Sequence, residues 1–121
     1  MHTQTIVVLQ SDPFIAQALA GKLSSYFESV HVARNVHELR TAVPRYRAEA
    51  AILDIEVSCL SEIERLHREF PQLAIVCTHR VADEEMWASA LNAGASDMFP
   101  SSDTQGIVQS TMRTLEQAAC Q

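Results

Sequence analysis

The chain has 121 residues, 47% of them hydrophobic, so it reads as a single domain over residues 1–121 that can bury a core without metals or disulfides. Nine Lys and Arg against fifteen Asp and Glu give a net charge of −6, which argues against nucleic acid or anionic membrane as a direct partner. No apolar run approaches the ~20 residues of a membrane span, and the opening MHTQTIVVLQSD lacks a signal peptide's basic n-region, so a cytoplasmic location is expected.

Short apolar runs alternate with helical patterns along the chain. Ile6-Val7-Val8-Leu9 is the first strand, followed by Asp12 as an N-cap and Pro13 at a first-turn position, with Ile15, Leu19 and Leu23 on one stripe. The second strand is Val30-His31-Val32-Ala33; Asn35 with Glu38 has capping-box spacing and opens the second helix. Ala50-Ala51-Ile52-Leu53 is the third strand, and Ser61 with Glu64 opens the third helix by the same spacing. Leu73-Ala74-Ile75-Val76-Cys77 is the fourth strand; Asp83 caps a helix carrying Met86, Trp87, Ala90 and Leu91, and Gly94 ends it. A weak fifth strand at Met98-Phe99 precedes a helix from about Thr104 to Ala118, with Val108, Met112 and Leu115 inward. Continuous rather than alternating hydrophobicity marks strands buried on both faces, so the expected fold is α/β, a doubly wound five-stranded parallel sheet with helices on each side. Three cysteines at wide spacing suggest neither a disulfide framework nor a zinc knuckle; Cys59 and Cys77 adjoin apolar runs and read as small buried hydrophobes.

In such folds, function sits at the carboxyl ends of the strands. The residues there are Gln10, Ser11 and Asp12; Asp54 and Glu56; Thr78, His79 and Arg80; and Pro100, Ser101 and Ser102. Asp54 ends the central strand, where a carboxylate either accepts a phosphoryl group beside neutralising positive charge or simply caps the following loop. Thr78 offers a hydroxyl to a phosphoryl oxygen or to its own turn.

Taken together, IVVLQSDPFI, AAILDIEVSCLSEIERL, LAIVCTHR and ALNAGASDMFPSSD resemble the strand-end motifs of response-regulator receiver domains, in register over essentially the whole chain. The resemblance implies a flavodoxin-like (βα)5 fold and a non-enzymatic signal-transduction domain. It implies Asp54 as the acceptor of a phosphoryl group from a histidine kinase, and Thr78 as the switch hydroxyl.

The chain also departs from the family pattern. Gln10 and Ser11 stand where an acidic pair holds Mg²⁺, with Asp12 one place beyond; an amide and a hydroxyl are poor ligands for that ion, so any Mg²⁺ binding is expected to be weak. Asp12 and Glu56 are the remaining candidate ligands. Ser101 occupies the position of the phosphoryl-binding lysine, and the only lysine, Lys22, lies in the first helix. Met98 takes the place of the switch aromatic, while Ser58 and Cys59 replace the proline and glycine of the acceptor loop. Arg80 can swing toward an anion in the crevice, and His79 can cover Asp54 and supply charge when protonated, each with a plain surface role as the alternative; His2, His31, His37 and His67 have no ligand partners at suitable spacing.

The expectation is a receiver-like domain with a degenerate phosphorylation site that acts through protein–protein interaction. Its partners would be a kinase, an output domain or a second copy, through the face of the fourth helix, fifth strand and fifth helix, with Met86, Trp87 and Met98 contributing apolar surface. A working phospho-acceptor at Asp54 is the alternative. A nucleotide- or flavin-binding module is the alternative from another class, but Gln10-Ser11-Asp12-Pro13 contains no glycine and Pro13 removes a backbone donor.

Overall fold

Each predicted apolar run is a strand, and all five strands are parallel. The computed structural model describes residues 2–56 and 58–119. The elements are β1 (His2–Leu9), α1 (Pro13–Leu23), β2 (Phe27–Val32), α2 (Val36–Arg45), β3 (Ala50–Asp54), α3 (Leu60–Glu69), β4 (Ala74–His79), α4 (Glu84–Ala93), β5 (Asp97–Pro100) and α5 (Thr104–Ala119). Cys120 and the side chain of His2 lie outside the described residues. The strand order is β2-β1-β3-β4-β5. Every residue of β3 is buried, as a central strand covered on both faces requires.

Alternate residues of the strands feed two core layers. Ile6, Val8, Ile52 and Val76 pack with Leu19, Leu23 and Ile107 under α1 and α5. Val7, Leu53 and Cys77 pack with Leu39, Ile63, Leu66 and Ala90 under α2, α3 and α4. Truncating a fully buried leucine such as Leu53 to alanine would cost about 2–5 kcal/mol.

Most helix signals hold. The Asp12 carboxylate accepts from the Phe14 N–H at 2.8 Å with Pro13 in the first turn, Asn35 accepts from Glu38 N–H at 2.8 Å, and Asp83 accepts from Met86 N–H at 2.8 Å. Gly94 follows α4 at φ +120°, and a Cβ there would stand 2.7 Å from the His67 ring.

Four expectations need correction. β2 begins at Phe27, not Val30, because the fully buried Phe27 ring fills the layer beneath α1; Ala33 falls outside the strand. The N-cap of α3 is Cys59, not Ser61: the helix starts at Leu60, and Glu62 N–H reaches the Cys59 carbonyl at 3.0 Å. Cys59 is therefore exposed rather than a buried hydrophobe, whereas Cys77 is buried as expected. Met98 is sealed in the core at 5% exposure and contributes no surface, while Trp87 is 47% exposed and its indole N–H donates to Asp97 Oδ1 at 3.2 Å. Among the described residues no helix is long and apolar enough to cross a membrane.

Candidate functional site

The sheet reverses its winding at β1, which pairs with β2 on one side and β3 on the other, so a crevice opens where β1 and β3 end. Gln10 and Ser11 follow β1, Asp54 ends β3, Thr78 is its cross-strand partner in β4, and Ser101 follows β5 with its N–H donating to the His79 carbonyl at 3.0 Å. Gln10, Asp54, Thr78 and Ser101 are all buried. The fold thus gathers the strand-end residues singled out in the sequence into one place.

Their side chains are already paired with one another. Asp54, 1% exposed, accepts from the Ser11 N–H at 2.9 Å and the Ser11 hydroxyl at 2.7 Å through Oδ2, and from the Glu56 N–H at 2.8 Å through Oδ1. A buried carboxylate needs such donors, since an unpaired charge there would be costly. The Gln10 amide donates to Thr78 Oγ1 at 3.0 Å, and the Thr78 hydroxyl lies 3.3 Å from Gln10 Oε1, to which it donates. Both residues that replace the expected acidic pair therefore hold the crevice closed: Ser11 on Asp54, and Gln10 on Thr78. The Ser101 hydroxyl is buried with no hydrogen-bond partner among the described residues, and it brings no charge.

The outlying candidates turn elsewhere. Asp12 caps α1. The Glu56 carboxylate pairs with Arg80 Nε at 3.0 Å, and Arg80 itself is largely exposed. His79 Nδ1 accepts from the Val81 N–H at 3.0 Å, which ties the ring to its own loop, and the ring lines a groove of about 720 Å³ between α3 and α4 together with Ile55, Cys59, Leu60 and Met86. Among the described residues no group of three or more His, Cys, Asp or Glu side chains could hold a metal ion. The donors at the mouth of the crevice, an engaged amide and an engaged hydroxyl, do not suit Mg²⁺, which requires hard and mostly anionic oxygens.

Sequence position alone did not reveal that Ser11 would serve Asp54 with both its N–H and its hydroxyl. The signal available was a small hydroxyl residue at the end of the strand adjacent to that of the buried carboxylate. Nor was the groove between α3 and α4 apparent, since its walls come from four separate segments.

No family model matches this sequence, and no curated protein matches it. Solved structures do. The chain is similar to NtrX from Brucella abortus, solved in complex with ADP, at 21% identity and a TM-score of 0.87, over 98% of this chain but only 27% of that one. It is similar to a response regulator from Thermotoga maritima at 20% identity and a TM-score of 0.85, over 94% of this chain and 98% of that one. A CheY-like response regulator receiver domain protein from Methanospirillum hungatei JF-1 matches at 18% identity and a TM-score of 0.83, over 95% of each chain. The chain therefore has the CheY-like, flavodoxin-like (βα)5 fold of response-regulator receiver domains.

Proposed function

We propose that the chain is a signal-transduction domain of the receiver type that works through protein–protein contact without phosphorylation of Asp54. It acts in the cytoplasm as a binding module rather than as an enzyme. The observation that carries this reading is how Asp54 is held: its buried carboxylate already accepts three hydrogen bonds, two of them from Ser11. A phosphoryl group arriving at Asp54 would displace those donors. It would meet neither a well-held cation nor a lysine to balance its oxygens, and that electrostatic help is the main source of catalysis in phosphoryl transfer.

The output side fits the same reading. Thr78 is held by Gln10, and Met98 is packed in the core without an aromatic ring to change places. The face built by α4, β5 and α5 then keeps one arrangement, and a partner reads that arrangement constitutively.

One observation favours phosphorylation instead. Asp54 and Thr78 are direct neighbours in the β3–β4 register, the juxtaposition that a phospho-acceptor and its switch hydroxyl require. Incubation with acetyl phosphate and Mg²⁺, followed by intact-mass measurement, separates the two. The proposal expects the mass to stay unchanged; near-complete addition of one phosphoryl group, absent in Asp54→Asn, would replace it with the phospho-acceptor reading.

A further inference from the structure

The charge of the chain is unevenly placed. Residues 31–47 carry Arg34, Arg40, Arg45 and Arg47 against Glu38 alone, which leaves five basic against fourteen acidic residues in the rest of the sequence. Residues 81–97 carry Asp83, Glu84, Glu85 and Asp97 and no Lys or Arg. These segments are α2 and α4 with their flanks. Both helices cover the same layer of the core, at opposite edges of the sheet, with α3 between them.

The charges at the two edges are available. Arg34 and Arg40 are paired with Glu38 and Glu69, but Arg45 and Arg47 form no ion pair among the described residues. Both are exposed. On the other edge Glu84 and Glu85 are exposed and likewise form no ion pair among the described residues.

Each edge also presents apolar surface beside its charge. The basic edge exposes Val32 and Tyr46, and the acidic edge exposes Val81 and Trp87. Tyr46 is held in place rather than free to turn: its ring stacks on His31 of β2 at 3.9 Å between centroids, with the Arg45 guanidinium 5.5 Å from the ring centre. Trp87 is held by its bond to Asp97. Aromatic rings and arginine are enriched at protein interfaces, charge of opposite sign across a contact steers and orients docking, and ordering the rings in advance lowers its entropy cost.

We propose that the α2 edge of one copy docks on the α4 edge of a second copy, with Arg45 and Arg47 facing Glu84 and Glu85 and the Tyr46 and Trp87 neighbourhoods supplying apolar contact. A second copy is the fitting partner because this chain itself displays both halves of the complementary pair. Two different surfaces meet in this arrangement, so it is head-to-tail and does not stop at a symmetric dimer; it continues into a ring or a chain of copies. The inference rests on the reading above, that the domain acts by protein contact, and it names the contact.

The experiment is light scattering on four forms of the purified chain. Wild type should rise above its monomer mass of 13.4 kDa with concentration in about 20 mM salt, and return to that mass near 0.5 M salt, where surface charges are screened beyond roughly 4 Å. Arg45→Gln with Arg47→Gln should weaken the association about tenfold, the sum of two exposed ion pairs. Arg45→Glu with Arg47→Glu has two acidic edges, and Glu84→Lys with Glu85→Lys has two basic edges, so each should remain monomeric alone. Circular dichroism confirms that both are folded, and mixed in equal amounts they should associate. A wild type that stays at monomer mass at every concentration, reversed variants that associate as wild type does, or a mixture that stays monomeric would each overturn the proposal. None of these results alters what acetyl phosphate does to Asp54, so the two readings fail separately.

Discussion

Replacing Asp54 by asparagine should destabilise this protein. The amide has one oxygen in place of two. If that oxygen keeps the Ser11 N–H and hydroxyl, now 2.9 and 2.7 Å from Oδ2, the new NH₂ group faces the Glu56 N–H, and a donor meets a donor where Oδ1 accepted at 2.8 Å. A hydrogen bond to a charged group contributes about 1.5–3 kcal/mol, and relief from burying a charge offsets part of that, so the net loss should be about 2 kcal/mol. At roughly 2.1 cal/mol/K of unfolding entropy per residue, about 2 kcal/mol corresponds to a melting temperature lower by about 8 °C for a chain of this length. Ser11→Ala removes the hydroxyl but leaves the N–H, and should cost about 1 kcal/mol. Because Asp54→Asn keeps the bond to the Ser11 hydroxyl but removes the charge that strengthens it, the double variant should cost less than the sum of the singles by about 0.5 kcal/mol. Urea unfolding of the four proteins at neutral pH measures all of this. An Asp54→Asn protein as stable as wild type, or more stable, would show that desolvation of the carboxylate outweighs its three donors and that the crevice is not held by them.

Three other outcomes are expected. Gly94→Ala should destabilise by about 2 kcal/mol, since its backbone is at φ +120° and the methyl group would meet the His67 ring, whereas Gly21→Ala, with open space around it in α1, should stabilise by about 0.5–1 kcal/mol; thermal melts of both variants decide this. In a Cys120→Ser background, iodoacetamide should label Cys59 and spare Cys77: the Ser61 hydroxyl beside the exposed Cys59 sulfur lowers its pKa and favours the thiolate, while burial pushes the Cys77 thiol up to about 12. Labelling of Cys59 should then speed up as pH rises toward its lowered pKa and level off above it, with Cys77 modified only on unfolding; equal labelling of both in the folded protein would contradict the burial assignment. Titration with Mg²⁺ followed by amide chemical shifts should show no saturation at low-millimolar metal, because Asp12 caps α1 and Glu56 is paired through one oxygen with Arg80; saturation abolished by Asp12→Ala or Glu56→Ala would show a rebuilt site.

The layered fold was legible because its strands are apolar on both faces. Val7 and Val8 point to different layers and both are hydrophobic, so the run is continuous and signals a covered parallel sheet. Helix starts were legible where a side chain does the capping, as at Asp12, Asn35 and Asp83, and were misplaced at α3, where the Cys59 backbone opens the helix without a side-chain cap. The position of the crevice followed from topology alone. Its internal wiring did not, because whether Ser11 turns to Asp54 and Gln10 to Thr78 depends on strand register and rotamer, which residue spacing does not encode. The surface was the least legible part: Met98 and Trp87 looked equivalent as apolar residues near β5, yet one completes the core and the other stands in solvent tied to Asp97.

We propose that Gln10, Ser11 and Ser101 are what keep Asp54 from accepting a phosphoryl group. The most direct test restores the charges they lack, in the variant Gln10→Asp, Ser11→Asp, Ser101→Lys, with folding confirmed by circular dichroism. Wild type and variant are treated with acetyl phosphate and Mg²⁺ and weighed intact. Wild type should stay unmodified and the variant should be heavier by about 80 Da, the mass of one phosphoryl group, with the gain lost when Asp54→Asn is added. A wild type that gains that mass by itself, or a folded variant that does not, would contradict the proposal.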